Sequence, residues 1–167
     1  MAQPAPIAAD ATKAQAYSEV RDQILAVIAG ESSRMARYAT ASALLAQSFP
    51  HFFWTGFYVR DGDRDELVVG PYQGTLGCLR IPFGRGVCGT AAATRRTQLV
   101  EDVHAYPGHI ACDARSRSEV VVPVLDEKGD LAAVLDVDAT TVAAFDSEDV
   151  AGLEAVCADL LIGAGPA

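Results

Sequence analysis

Two short polar turns constrain this chain more than anything else in it. DGDRD (61–65) separates the aromatic run HFFWTGFYV (51–59) from the segment 66–70. DEKGD (126–130) separates two Val- and Leu-rich runs, 119–125 and 131–138. Gly and Asp accept the backbone of a tight turn, and β-branched and aromatic residues suit a pleated strand. Each turn is therefore predicted as a hairpin, and hairpins pair their strands antiparallel.

The remaining segments read mainly as helices. From Thr12 to Gly30, Tyr17, Val20, Ile24, Val27 and Ile28 recur at helical spacing. Ser32 or Ser33 is predicted to cap a second helix that buries Met35, Tyr38, Leu44 and Leu45 and stops at Pro50. Asp146 is predicted to cap a last helix with Val150, Leu153, Cys157, Leu160 and Leu161 on one face. Between these lie a short strand (79–81), a small-residue helix (89–94), another short strand (99–101) and a long irregular loop (104–118). The expected fold class is α+β: an antiparallel sheet with helices packed on it, as a single domain over 11–167, preceded by a flexible Pro- and Ala-rich tail, 1–10.

Composition narrows the partners. The 167 residues carry a net charge of −9, which repels phosphate, so neither nucleic acid nor an anionic membrane is an expected partner. No apolar run reaches membrane-spanning length, and MAQPAPIAADATKAQ lacks the basic and apolar regions of a secretory signal. The expectation is a cytoplasmic, reducing setting in which four cysteines are not permanent disulfides.

Three of those four, Cys78, Cys88 and Cys112, fall between Gly70 and Asp126, with two of the three histidines and half of the fourteen glycines. Such a segment binds a metal, uses sulfur chemically, or simply packs its thiols. Zinc sites usually show close Cys or His pairs, and the wide spacing of these cysteines gives no such pair. Gly84, Gly86 and Gly89 match G-x-G-x-x-G, but the strand and long helix of a dinucleotide site are missing. Cys112 is flanked by His109, Arg115 and Arg117, cations that favour the nucleophilic thiolate, and either upstream cysteine could close on it. Cys157, on a helix face, reads as a packing residue.

The blocks GPYQGTLGCLRIPFGRGVCGTAA and VEDVHAYPGHIACDARSRSEVVVPV, with the later LDVD, resemble the free methionine-(R)-sulfoxide reductases, single domains of the GAF fold. The resemblance runs from about Trp54 to the end of the chain. It implies that Cys112 is the catalytic thiol, Cys78 its resolving partner, and Cys88 an auxiliary or alternative resolving thiol. It also implies that Glu119, Asp136 and Asp138 are acidic site residues and that Trp54 and Tyr58 are aromatic ones. The implied substrate is free methionine sulfoxide, the implied reductant thioredoxin, and no metal or organic cofactor is implied. A homodimer through the N-terminal helices is compatible with this reading.

Elementary chemistry agrees with that set. The substrate's ammonium wants carboxylates, and Asp136 and Asp138 alternate along a strand, so both face one side. Its carboxylate wants amide donors, expected around Ala111–Ala114. Its methyl group wants an apolar wall such as Trp54. Trp54, Gly56 and Tyr58 are expected on one strand face with room between the rings, and Phe53, Thr55 and Phe57 on the other. Crowded carboxyls keep a proton, which the departing sulfoxide oxygen needs. The alternative reading is a non-catalytic GAF module that senses a small molecule or thiol redox state.

Overall fold

The computed structural model describes residues 6–110 and 112–165. Residues 1–5 of the expected tail, and Ala111 of the expected amide nest, lie outside the described residues.

Helix α1 (Lys13–Val27) starts at Thr12. The Thr12 hydroxyl accepts from the Gln15 amide at 3.2 Å, and the Gln15 side chain accepts from the Thr12 amide at 2.8 Å. These reciprocal bonds satisfy amide donors that a helix start leaves unpaired. Helix α2 (Arg34–Ser48) is capped by Ser33 and ends at Phe49, beside Pro50. Then come β1 (Trp54–Arg60), β2 (Glu66–Gln73), β3 (Arg80–Pro82), α3 (Gly86–Thr94) and β4 (Gln98–Val100). A short 3₁₀ turn (Val103–Ala105), β5 (Ser118–Leu125), β6 (Leu131–Ala139) and α4 (Ser147–Leu160) complete the chain, with Asp146 capping α4 as expected.

The strands form one sheet in the order β3-β2-β1-β6-β5-β4, and every neighbouring pair is antiparallel. Both predicted hairpins are present, as β1–β2 and β5–β6. Alternation sends Phe57, Val120, Val122, Leu135 and Val137 to a core under α1, α2 and α4. It sends Trp54, Tyr58, Val121 and Val134 to a second core on the other side, under α3. The tail residue Ile7 rests against the helix-side core. The expected α+β architecture is the observed one.

Three local expectations need correction. Met35 is 51% exposed rather than buried. In that first turn of α2 the interior position goes to Arg37, whose guanidinium reaches the carbonyls of Glu31, Leu160 and Ile162 at 2.7–2.9 Å, among them carbonyls at the α4 C-terminus. The first strand begins at Trp54, so Phe53 stands outside its alternation and packs with the α3-side core, not with Phe57. The small-residue helix begins at Gly86 rather than Gly89. A Cβ at Gly89 would lie 2.4 Å from the Pro82 carbonyl oxygen, so only glycine allows this helix to press so closely on β3.

Candidate active site

Register assembles the site. Across the sheet, Trp54 on β1 stands opposite Asp138 on β6, which stands opposite Glu119 on β5. One row along, Gly56 stands opposite Asp136, which stands opposite Val121. Directly opposed residues share a face, so three acids and one indole are brought onto the side under α3 by strand pairing alone.

The room expected between Trp54 and Tyr58 is filled. A Cβ at Gly56 would meet Tyr72 Cβ at 2.2 Å and the Trp54 ring at 2.9 Å. The Trp54 ring stacks on Tyr58 and on Tyr72, with centroids 5.5 and 5.1 Å apart. Gly56 therefore lets the indole lie flat. The open space is displaced toward α3 and the loops.

That space is a recess lined by Trp54, Tyr58, Cys88, Cys112, Glu119, Asp136 and Asp138, all expected site residues, together with Phe53, Leu76, Arg85, His109, Asp113 and Ser116. Its free volume is about 40 Å³. Cys78 closes the group differently: it is disulfide-bonded to Cys112, with Cα atoms 5.4 Å apart. Cys112 is exposed, Cys78 half-buried and Cys88 buried. Cys157 is buried on the opposite side of the sheet, where burial raises its thiol pKa.

The floor of the recess stores protons. The Cys88 thiol donates to Glu119 at 3.8 Å. Burial, then the neighbouring Asp136 and Asp138, hold the Glu119 carboxyl well above the usual carboxylate range. Burial, then Asp138, does the same to Asp136. Burial raises Asp138 only to about 7, because the Ser116 hydroxyl beside it favours the charged form. Burial and the adjacent acids also hold Cys88 as a thiol and Tyr58 as a phenol. Among the described residues Asp136 Oδ1 is buried without a hydrogen-bond partner. Cys88 Sγ and one oxygen each of Glu119 and Asp136 lie within 4.8 Å of one another, so these three could hold a cation. It would have to displace the protons that the crowded acids retain.

Two lining residues have partners that the sequence does not announce. His109 Nε2 lies 3.9 Å from Glu119 Oε2, a contact across ten residues of chain that no strand or helix spacing announces. Burial lowers the His109 pKa, so the imidazole is neutral beside a protonated acid and is not the cation expected beside Cys112. Asp113 was hidden by its place next to Cys112; its carboxylate accepts from the Thr75 hydroxyl at 2.8 Å and from Arg115 at 2.7–3.0 Å.

The arrangement can hold an ammonium on acids, wall a methyl group with an indole, deliver a proton, and exchange a disulfide at its mouth. Comparison with known proteins places the chain in a family. The GAF domain model matches residues 31–162. The free methionine-R-sulfoxide reductase of Escherichia coli (strain K12) is 45% identical over 148 residues, covering 89% of this chain and 88% of that protein. The protein of the same name from Saccharomyces cerevisiae is 39% identical over 145 residues, covering 81% of each. The structure of free methionine-R-sulfoxide reductase from Neisseria meningitidis in complex with its substrate superposes with a TM-score of 0.89 at 45% identity, covering 96% of this chain and 95% of that one. The chain belongs to the GAF-domain family and, within it, to the free methionine-R-sulfoxide reductases.

Proposed function

We propose that this protein reduces free methionine-(R)-sulfoxide to methionine with thiols, and that residues 11–167 form its catalytic domain. The observation that carries the reading is the Cys78–Cys112 bond at the mouth of a recess floored by protonated acids. In the reduced protein the Cys112 thiolate attacks the sulfoxide sulfur. Glu119, which keeps its proton, serves as the acid for the sulfoxide oxygen. Methionine leaves and Cys112 carries the oxygen as a sulfenic acid. The Cys78 thiol then attacks the Cys112 sulfur, the S–O bond breaks, and water leaves with formation of the disulfide. A dithiol protein of the thioredoxin type takes two electrons back to the disulfide and is itself oxidised. The electrons come from thiols throughout.

The substrate ammonium belongs beside Asp138 and the orphaned Asp136 oxygen, and the methyl group belongs against Trp54. Recognition of a free ammonium explains a preference for the free amino acid over a peptide-linked residue. With the disulfide closed, about 40 Å³ is room for a few waters, far below the roughly 150 Å³ cavity that benzene fills. Substrate therefore enters the reduced protein, in which the S–S bond no longer spans the mouth of the recess.

The test mixes fully reduced protein with free methionine-(R)-sulfoxide and no other reductant. The expected result is one methionine formed and two thiols lost per chain, with no loss when the (S)-epimer is offered. Binding without thiol loss would make the chain a sensor instead.

A further inference from the structure

We propose that Thr75, Asp113 and Arg115 form a clasp that presents Cys78 to Cys112, which makes Thr75 and Asp113 positioning residues for disulfide closure. The inference rests on the reaction proposed above and concerns only its second step.

Cys78 sits in the segment between β2 and β3, and Cys112 in the segment that leads into β5. Neither segment has strand or helix to hold it at the cysteine. Thr75, three residues before Cys78, donates its hydroxyl proton to Asp113 Oδ2 at 2.8 Å, one residue after Cys112. Asp113 is fixed in turn: its Oδ1 accepts from the Arg115 amide at 2.9 Å and from Nε at 3.0 Å, and its Oδ2 accepts from Nη2 at 2.7 Å. The Arg115 guanidinium lies over the Phe53 ring, 4.8 Å from its centre. The Thr75 carbonyl accepts from Trp54 Nε1 at 2.9 Å. Both cysteine-bearing segments are thereby tied to the start of β1 by contacts that include no sulfur.

Such contacts persist when the S–S bond is open. The Arg115 side chain and amide, then Thr75, hold the Asp113 carboxyl far below the usual carboxylate range, so the clasp stays charged. It holds the Cα atoms of Cys78 and Cys112 at the bridgeable separation of 5.4 Å. The search that two loose loops would otherwise make for one another is already done. Speed matters here, because a sulfenic acid that waits can be oxidised further to the sulfinic acid, a largely irreversible loss.

Thr75→Val removes the hydroxyl and keeps the side-chain shape. Reduced Thr75→Val should release its first methionine at the wild-type rate. Its second thiol should disappear about three- to tenfold more slowly, the size of one net hydrogen bond, and dimedone should trap correspondingly more sulfenic acid. Thr75→Ser should restore the closure rate. Arg115→Lys keeps the cation but loses the planar fork; it should slow closure in the same way and carries the test if Thr75→Val does not fold. Closure as fast as wild type in both variants, with no extra trapped sulfenate, overturns the clasp. Absence of methionine release in wild type as well would instead overturn the underlying reaction.

Discussion

Each face of the sheet buries an aspartate, and the protein treats the two differently. Asp149, in the first turn of α4 against α1, is fully buried, yet its carboxylate accepts from Tyr17 at 2.9 Å, Lys13 at 2.8 Å and the Asp146 amide at 2.8 Å. Asp136, beneath α3, is 6% exposed and has one oxygen with no partner among the described residues. Its neighbours are a second acid, Glu119, and the Cys88 thiol. An unmade buried hydrogen bond costs about 1–3 kcal/mol. Asp149 avoids that cost and Asp136 accepts it. Tyr38 Oη in the helix-side core is also without a partner among the described residues, but the Asp136 oxygen lines a recess, where an unsatisfied group is available to a ligand.

Breaking the recess side should abolish chemistry and leave the fold. Cys112→Ser should lose all methionine formation from the free (R)-sulfoxide, with a melting curve that matches the reduced wild type; retained turnover would move the reacting sulfur to Cys88. Cys78→Ser should release about one methionine per chain and then stall with thioredoxin, the stoichiometry of a single sulfenic acid. Wild-type turnover in that variant would give the closing role to Cys88. Glu119→Gln should lower kcat/KM by about a hundredfold, the lower end of general-acid contributions. Its melting temperature should hold or rise, since the amide cannot carry the charge that burial penalises.

Subtler effects follow from Asp138, whose carboxyl titrates near pH 7. Above that pH it is charged and holds the ammonium; below it the charge is gone. Methionine should therefore bind the reduced protein several-fold more tightly as pH rises from about 6 to about 8, and Asp138→Asn should flatten that dependence in a titration. Folding responds in the opposite sense. The folded carboxyl keeps its proton to higher pH than the unfolded one, near 3.9, so its contribution to stability falls as pH rises from about 4 to about 7. The smallest expected change in activity comes from the helix side. Asp149→Asn should keep kcat/KM within about twofold but lower the melting temperature by roughly 5 °C, from about 1–3 kcal/mol at 2–4 °C per kcal/mol.

How much of this was legible depended on the range of the interaction. Both hairpins, and the caps at Ser33 and Asp146, are local, and the sequence announces them. The shared face of Asp136 and Asp138 follows from strand alternation. Their proximity to Glu119 needs the β5–β6 register, which the turn at 126–130 largely sets. What escaped was non-local. Arg37 displaced Met35 because distant carbonyls needed donors. Tyr72 and the Trp54 ring took the space over Gly56 because β2 pairs beside it. The Thr75–Asp113 bond spans 38 residues and depends on two loops that no periodicity describes.

Gly77 bears on whether this molecule works more than once. A methyl group there would lie 2.7 Å from the Tyr58 hydroxyl and 3.1 Å from the Trp54 ring, both immobilised by stacking. The only relief would be to lift residue 77, and Cys78 with it. Cys112 itself would stay in place, but its mate would be out of reach. A single carbon at that spot would thus turn a catalyst into a reagent, spent after one equivalent of oxidant.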